Sequence, residues 1–176
     1  MDDESTEASS VDSPAVDGPA CELVWPSPDF AESVDQGLQL IKTMKEVGIT
    51  FSDPASYAAL LNSCAKASGP DSPQYAKHAL SILETMGQNG VEANSEAYGH
   101  TIEACARAEL LFRAVDLLRL MVKTGLEPSR SLFDLVLDTS IRQALYGSSV
   151  AVEQGVVVLG MMKEVRIQGS GFRVQD

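Results

Sequence analysis

The chain has 176 residues, 44% hydrophobic and 22% charged, with a formal net charge of −12. That length suffices for one domain with a sizeable core, and no apolar run approaches the ~18 residues that a membrane span needs. Residues 1–41 hold ten Asp/Glu and no Lys or Arg, so −10 of the charge lies there and only −2 over residues 42–176.

The N-terminal stretch MDDESTEASSVDSPAVDGPA is polar, acidic and rich in Ser, Pro and Gly. Residues 1–28 are expected to be a disordered acidic tail, read as a solvated linker. The Met1 segment has no apolar stretch and no Arg enrichment, so no secretory signal or transit peptide is visible in it. Cys21, Cys64 and Cys105 make an odd count, which does not suggest a disulfide framework.

From residue 30 onward the apolar positions recur with helical spacing. Met44, Met86, Met121 and Met162 lie 42, 35 and 41 residues apart. Each closes a quartet at i, i+3, i+4, i+7: Gly37, Leu40, Ile41, Met44; Ala79, Ile82, Leu83, Met86; Ala114, Leu117, Leu118, Met121; Gly155, Val158, Leu159, Met162. That spacing places four residues on one face of a helix. An interleaved series opens on an aromatic: Tyr57, Leu60, Leu61, Cys64; Tyr98, Thr101, Ile102, Cys105; Phe133, Val136, Leu137, Ser140. The chain therefore alternates a helix A, aromatic first, with a helix B, methionine last.

Capping chemistry marks the boundaries. SVDQ at 33–36 resembles a capping box, opening a first helix B of about 30–47. Asp53-Pro54 and Ser72-Pro73 place a capping side chain before a first-turn proline. Gly48, Gly90 and Gly125 follow helix B, where a left-handed C-cap favours glycine. GPDSPQYAKH (69–78) and LYGSSVAV (145–152) are expected to enlarge the two A-to-B loops and emerge on one edge, most simply as tolerated surface insertions and otherwise as a paired contact for a partner protein. One helix pair cannot bury both its stripes, so the pairs are expected to stack. The result is an all-α, right-handed α-solenoid of antiparallel helix pairs over 30–170: a partial unit 30–53, then units 54–94, 95–129 and 130–170. The array reads as cut from a longer one, or as capped by the segment around CELVWPSPDF.

The unit SEAYGHTIEACARAELLFRAVDLLRLMVKTGLEPS resembles a pentatricopeptide repeat. The family pattern's aromatic, two alanines, Met, Gly and Pro are held by Tyr98, Ala108, Ala114, Met121, Gly125 and Pro128. The preceding unit matches at Tyr57, Ala67, Ala79, Met86 and Gly90, with Ala93 for the proline. The last matches at Phe133 and Met162, with Ala144 one place late, Gly155 for Ala and Arg166 for Gly. A tetratricopeptide array fits less well, because Trp25 lies outside the repeats.

The resemblance implies a non-catalytic module whose A helices line a surface that reads single-stranded RNA, one base per repeat, in a mitochondrion or plastid. The base-reading pairs it implies are Ala58/Asn94, Gly99/Ser129 and Asp134/Ser170, with Ala55, Glu96 and Ser131 at the sandwiching positions. Lys66, Arg107 and Arg142 are further RNA-facing candidates. Ala58 and Gly99 carry no side-chain donor or acceptor. On the A helices Lys66, Arg107, Arg130 and Arg142 are balanced by Glu96, Glu103, Asp134 and Asp138, whereas a nucleic-acid groove normally draws its affinity from basic residues. A protein partner, with the array as a scaffold, is therefore the alternative. His78 and His100 fit no metal-ligand spacing, the cysteines and methionines read as core, and no phosphate-binding glycine motif occurs. No cofactor, metal, membrane or small-molecule substrate is expected.

Overall fold

A computed structural model describes residues 28–48 and 53–169. Among the described residues seven helices follow in order: α1 (Pro28–Val47), α2 (Pro54–Ala67), α3 (Pro73–Gln88), α4 (Ser95–Arg107), α5 (Leu111–Lys123), α6 (Arg130–Leu145) and α7 (Ser149–Gly169). Every regular element among the described residues is a helix. The A helices α2, α4 and α6 pack in sequence, each against the next. Each B helix lies against its own A helix and the one that follows: α3 touches α2 and α4, and α5 touches α4 and α6. This is the stacked-pair architecture of an α-solenoid. Of the tail expected at 1–28, only Pro28 is described, and it begins α1. Residues 170–176, Ser170 among them, likewise lie outside the described residues.

Local chemistry sets the helix ends. Asp53 Oδ1 accepts from the Ala55 amide at 3.2 Å, Asn94 Oδ1 from Ala97 at 2.9 Å and Ser129 Oγ from Leu132 at 3.4 Å, each satisfying an orphan first-turn donor. Ser72 does not cap with its side chain; its own amide donates to the Gly69 carbonyl, so Pro73 starts α3 from a backbone turn. Gly48, Gly90 and Gly125 sit at φ 76°, 73° and 76°, as the C-cap reading requires. After two of them the chain closes a six-residue turn onto methionine: Val91 N–H donates to Met86 C=O at 3.0 Å and Leu126 N–H to Met121 C=O at 3.1 Å. SVDQ is no capping box, because α1 already runs from Pro28 and buries Val34 within it.

The insertions do not simply enlarge loops. Unit 130–170 takes up its extra residues as helix: α6 has 16 residues where α4 has 13, and α7 begins by Ser149. No proline interrupts 130–169, and Gly147, at φ 90°, stops α6 only after Leu145. In unit 54–94 Pro73 initiates α3 early, so residues 73–78 are helical and the loop is confined to 68–72.

The core runs along the seam between the two layers. Tyr57, Leu61, Cys64, Met86, Ile102, Cys105, Leu118, Met121, Phe133 and Val136 are all buried. Two quartet members break the pattern: Leu40 is 55% and Leu159 is 53% exposed. Both stand at the ends of the described array, where no further described helix covers them. Gly155 meets a different demand. A Cβ there would stand 2.6 Å from Ser140 Oγ, so this glycine, in the place of the repeat's usual alanine, lets α7 cross close over α6.

A groove between α4 and α6 as the candidate binding site

α4 lies against α2 over far more of its surface than α6 lies against α4. The first junction is therefore closed, and the second opens into a groove of about 440 Å³, within the ~300–1,000 Å³ range of ligand clefts. From α4 come Ser95, Glu96, Gly99, His100 and Glu103, and from the N-cap and start of α6 come Ser129, Ser131 and Leu132, with Glu127 and Met121 completing the lining. The i, i+3, i+7 spacing of Glu96, Gly99 and Glu103 is what puts them on one wall. Ser129 and Ser131 reach the other wall because the turn after Gly125 delivers the N-terminus of α6 there.

The groove gathers four of the positions that the resemblance implied: Gly99 and Ser129 of one base-reading pair, and Glu96 and Ser131 of the sandwiching set. Gly99 is half-buried, and a Cβ added to it would make ordinary contact with Leu132 Cδ1 at 3.6 Å. Ser129 is exposed while holding its cap.

The other candidates lie elsewhere. Ala58 is only 5% exposed and offers a ligand almost no surface, which corrects the expectation that it faces RNA; the close stacking beside α2 accounts for it. Asn94 is half-buried with its carbonyl engaged by the Ala97 amide. Asp134 is exposed, 3.7 Å from Arg130 Nε. Lys66 and Arg142 are exposed, and Arg142 donates to Thr139 Oγ1 at 3.3 Å. Arg107 binds Glu103 Oε1 at 2.7 Å.

Sequence reasoning passed over His100 and Glu127 as groove residues. The signal for His100 was its place beside Gly99 on α4. Glu127 had none, because it comes from the turn. His100 Nδ1 lies 3.9 Å from Glu103, so a chain of His100, Glu103 and Arg107 runs along the wall. Glu96 sits in the first turn of α4, where the helix dipole favours an anion. The groove thus bears three carboxylates on a largely apolar lining, with one of them neutralised by Arg107.

Cys64 and Cys105 are buried, and burial pushes both thiols up to about 12. They stay protonated at neutral pH and belong to the core. Among the described residues, no three His, Cys, Asp or Glu side chains are grouped to hold a metal ion, and no helix is long and apolar enough to cross a membrane.

Residues 81–141 match the family model of the pentatricopeptide repeat domain. The matched stretch runs from within α3 into α6 and contains both walls of the groove. No curated protein matches the chain.

Proposed function

We propose, on the premise that residues 81–141 are a pentatricopeptide repeat domain, that the chain is a non-catalytic single-stranded RNA-binding module and that the α4/α6 groove receives one base. Its setting is RNA processing or expression in a mitochondrion or plastid, where proteins of this family commonly work. The observation that carries the reading is the meeting of Gly99, Ser129, Glu96 and Ser131 in one groove. Chain order scatters these residues over two helices and a turn, yet they comprise one base-reading pair and two of the sandwiching positions that the repeat resemblance implies.

The groove's chemistry sets how the RNA is held. Ser129 Oγ offers one hydroxyl to a base edge, and Gly99 offers nothing beyond backbone, so base discrimination is weak. Glu96 and Glu127 oppose phosphate, and Arg107 is engaged by Glu103. Phosphate contacts fall to Lys66, Arg130 and Arg142, outside the groove. Binding by this chain alone is accordingly modest and salt-dependent. Titrating a mixed single-stranded RNA pool across a salt series tests this: measurable binding at low salt that weakens steadily as salt rises is expected. No binding at the lowest salt would defeat the proposal.

A second reading, a scaffold for a protein partner, is favoured by a different surface. Ile141 on α6 and Val152, Val156 and Leu159 on α7 are 57%, 55%, 63% and 53% exposed. Their repeat equivalents Ala106, Leu111, Val115 and Leu118 are 0–2% exposed, covered by the next pair. This end of the array therefore presents an apolar face of the kind that another helix pair covers. Val156→Asp separates the readings. It leaves RNA binding unchanged under the first and abolishes partner capture under the second.

A further inference from the structure

The two junctions between A helices differ in the side chains that α4 and α6 turn toward the helix before them. Ser95 and Arg130 begin the two helices, and Tyr98 and Phe133 open their apolar series, which fixes the repeat register. In that register Leu132, Thr139 and Gln143 stand where α4 and its end carry Ala97, Ala104 and Ala108. Spacing of i, i+7, i+11 keeps each set on one helix face. The three alanines are 0%, 0% and 6% exposed, and α4 lies closely along α2. On α6 all three replacements are larger, and each reaches α4 or the turn that ends it. Leu132 Cδ1 stands 3.6 Å from where a Cβ on Gly99 would lie. Thr139 Oγ1 lies 3.4 Å from the Ala106 carbonyl oxygen and donates within its own helix to Leu135 at 2.9 Å. Gln143 Nε2 donates to the Glu109 carbonyl at 2.6 Å. Glu109 is the one non-glycine at positive φ among the described residues, and such a conformation persists where its surroundings hold it. Gln143 also stands in place of the repeat's usual alanine, which Ala67 and Ala108 supply in the two preceding units.

We propose that Leu132, Thr139 and Gln143 are spacers that set the width of the α4/α6 groove. Alanine at these places lets neighbouring A helices close along their length, as α4 closes on α2. Leucine, threonine and glutamine hold α6 back by the bulk of their side chains, and the space left beside Gly99 and Glu103 is the groove. Gln143 has a second role. Its bond to Glu109 ties the C-terminal ends of the two helices, while the groove opens between their N-terminal ends. Thr139 and Gln143 are positioning residues, since they govern what the groove admits without lining it.

The experiment places nitroxide labels on the exposed first residues of α4 and α6, as Ser95→Cys and Arg130→Cys, in the full chain carrying Cys21→Ser; Cys64 and Cys105 are buried and do not react. Dipolar broadening reads the separation of the labels, and far-UV circular dichroism verifies the fold. Replacing all three spacers by alanine is expected to bring the labels closer by several ångströms. Gln143→Ala alone leaves the other two spacers in place and is expected to widen the spread of separations; Gln143→Lys, which keeps a donor within reach of the same carbonyl, narrows it again. Binding of a mixed single-stranded RNA pool at low salt, measured on the unlabelled triple variant, should weaken several-fold; this second readout rests on the groove being the seat of RNA. A folded triple variant with the wild-type separation would overturn the spacer assignment, as would a wild-type spread in Gln143→Ala. Closure with unchanged RNA binding would instead defeat the RNA seat and leave the spacers assigned.

Discussion

Helices α5 and α7 hold the same place in successive pairs, yet they meet different surroundings. In α5 the stripe Leu111, Ala114, Val115, Leu117, Leu118 and Met121 is buried throughout. In α7 only part of the matching stripe is buried, at Gly155 and Val158, with Met162 half-buried, while Val152, Val156 and Leu159 face outward. The side chains are alike; the neighbours are not. In a solenoid the burial of a repeat position is settled by whether the next pair is present, because stability is close to a sum of unit and interface contributions. The residue type alone does not decide it.

Substitutions at matched positions sharpen this comparison, beginning with the largest effect. Leu118→Ala should cost about 2–5 kcal/mol in urea unfolding, since it leaves a cavity in a fully buried site. Leu159→Ala, its counterpart, should change stability by no more than about 0.5 kcal/mol. Equal losses at the two sites would mean that the end face is covered after all.

α7 carries Gly155 where α5 carries Ala114, and Gly155→Ala tests what that difference does. The new methyl meets Ser140 Oγ, so a loss of about 1–3 kcal/mol is expected. A double-mutant cycle with Ser140→Ala should return part of it. Strict additivity would show that the two residues do not touch.

Ser140 also marks a difference in charge chemistry, because the equivalent positions on α2 and α4 are Cys64 and Cys105. Their folded pKa, about 12, lies above the ordinary value of 9.0. A thiol raised in this way adds stability that is fully present below pH 9 and is lost as pH climbs toward 12. Each thiol contributes a slope of up to about 1.4 kcal/mol per pH unit in that window. Replacing both by Ser, the α6 residue, should flatten the fall in stability above pH 9. An unchanged alkaline slope would contradict the burial of these thiols.

The smallest effect lies at the end of α4. Gly90, Gly125 and Gly147 take the left-handed position after α3, α5 and α6, while Glu109 takes it after α4 at φ 59°. Glu109→Gly should stabilise by up to about 1 kcal/mol, because glycine removes the Cβ clash. Thermal unfolding would detect it, and a destabilised variant would show that the Glu109 side chain does more for the fold than its backbone strain costs.

Much of this fold is legible in the sequence because its determinants are local. The methionine and aromatic quartets, the Asp53 cap and the glycines after α1, α3 and α5 follow from residues within one or two turns of each other. Ser140 against Gly155 was hidden, since that contact joins two helices whose crossing distance no periodicity encodes. Leu40 and Leu159 were misjudged for a related reason: a quartet shows which face is apolar and not whether another helix covers it. Of the candidate site, Gly99 and Ser129 do meet across one groove. Ala58 does not reach a surface, because the extent of stacking between neighbouring A helices depends on packing over their whole length. The helical extension of α6 past Ile141 was unread because its glycine stop comes late, at Gly147.

The α4/α6 groove as the seat of an RNA base is tested most directly by comparing wild type with Gly99→Asn on four single-stranded homopolymers. The space beside Gly99 accepts a Cβ at ordinary contact distance from Leu132, so the variant is expected to keep its fold and to add an amide to the groove lining. The account predicts nearly base-independent binding by wild type. In Gly99→Asn it predicts a preference of roughly fivefold or more among the bases, the worth of one hydrogen bond of about 1 kcal/mol. Identical binding profiles for the two proteins would contradict it.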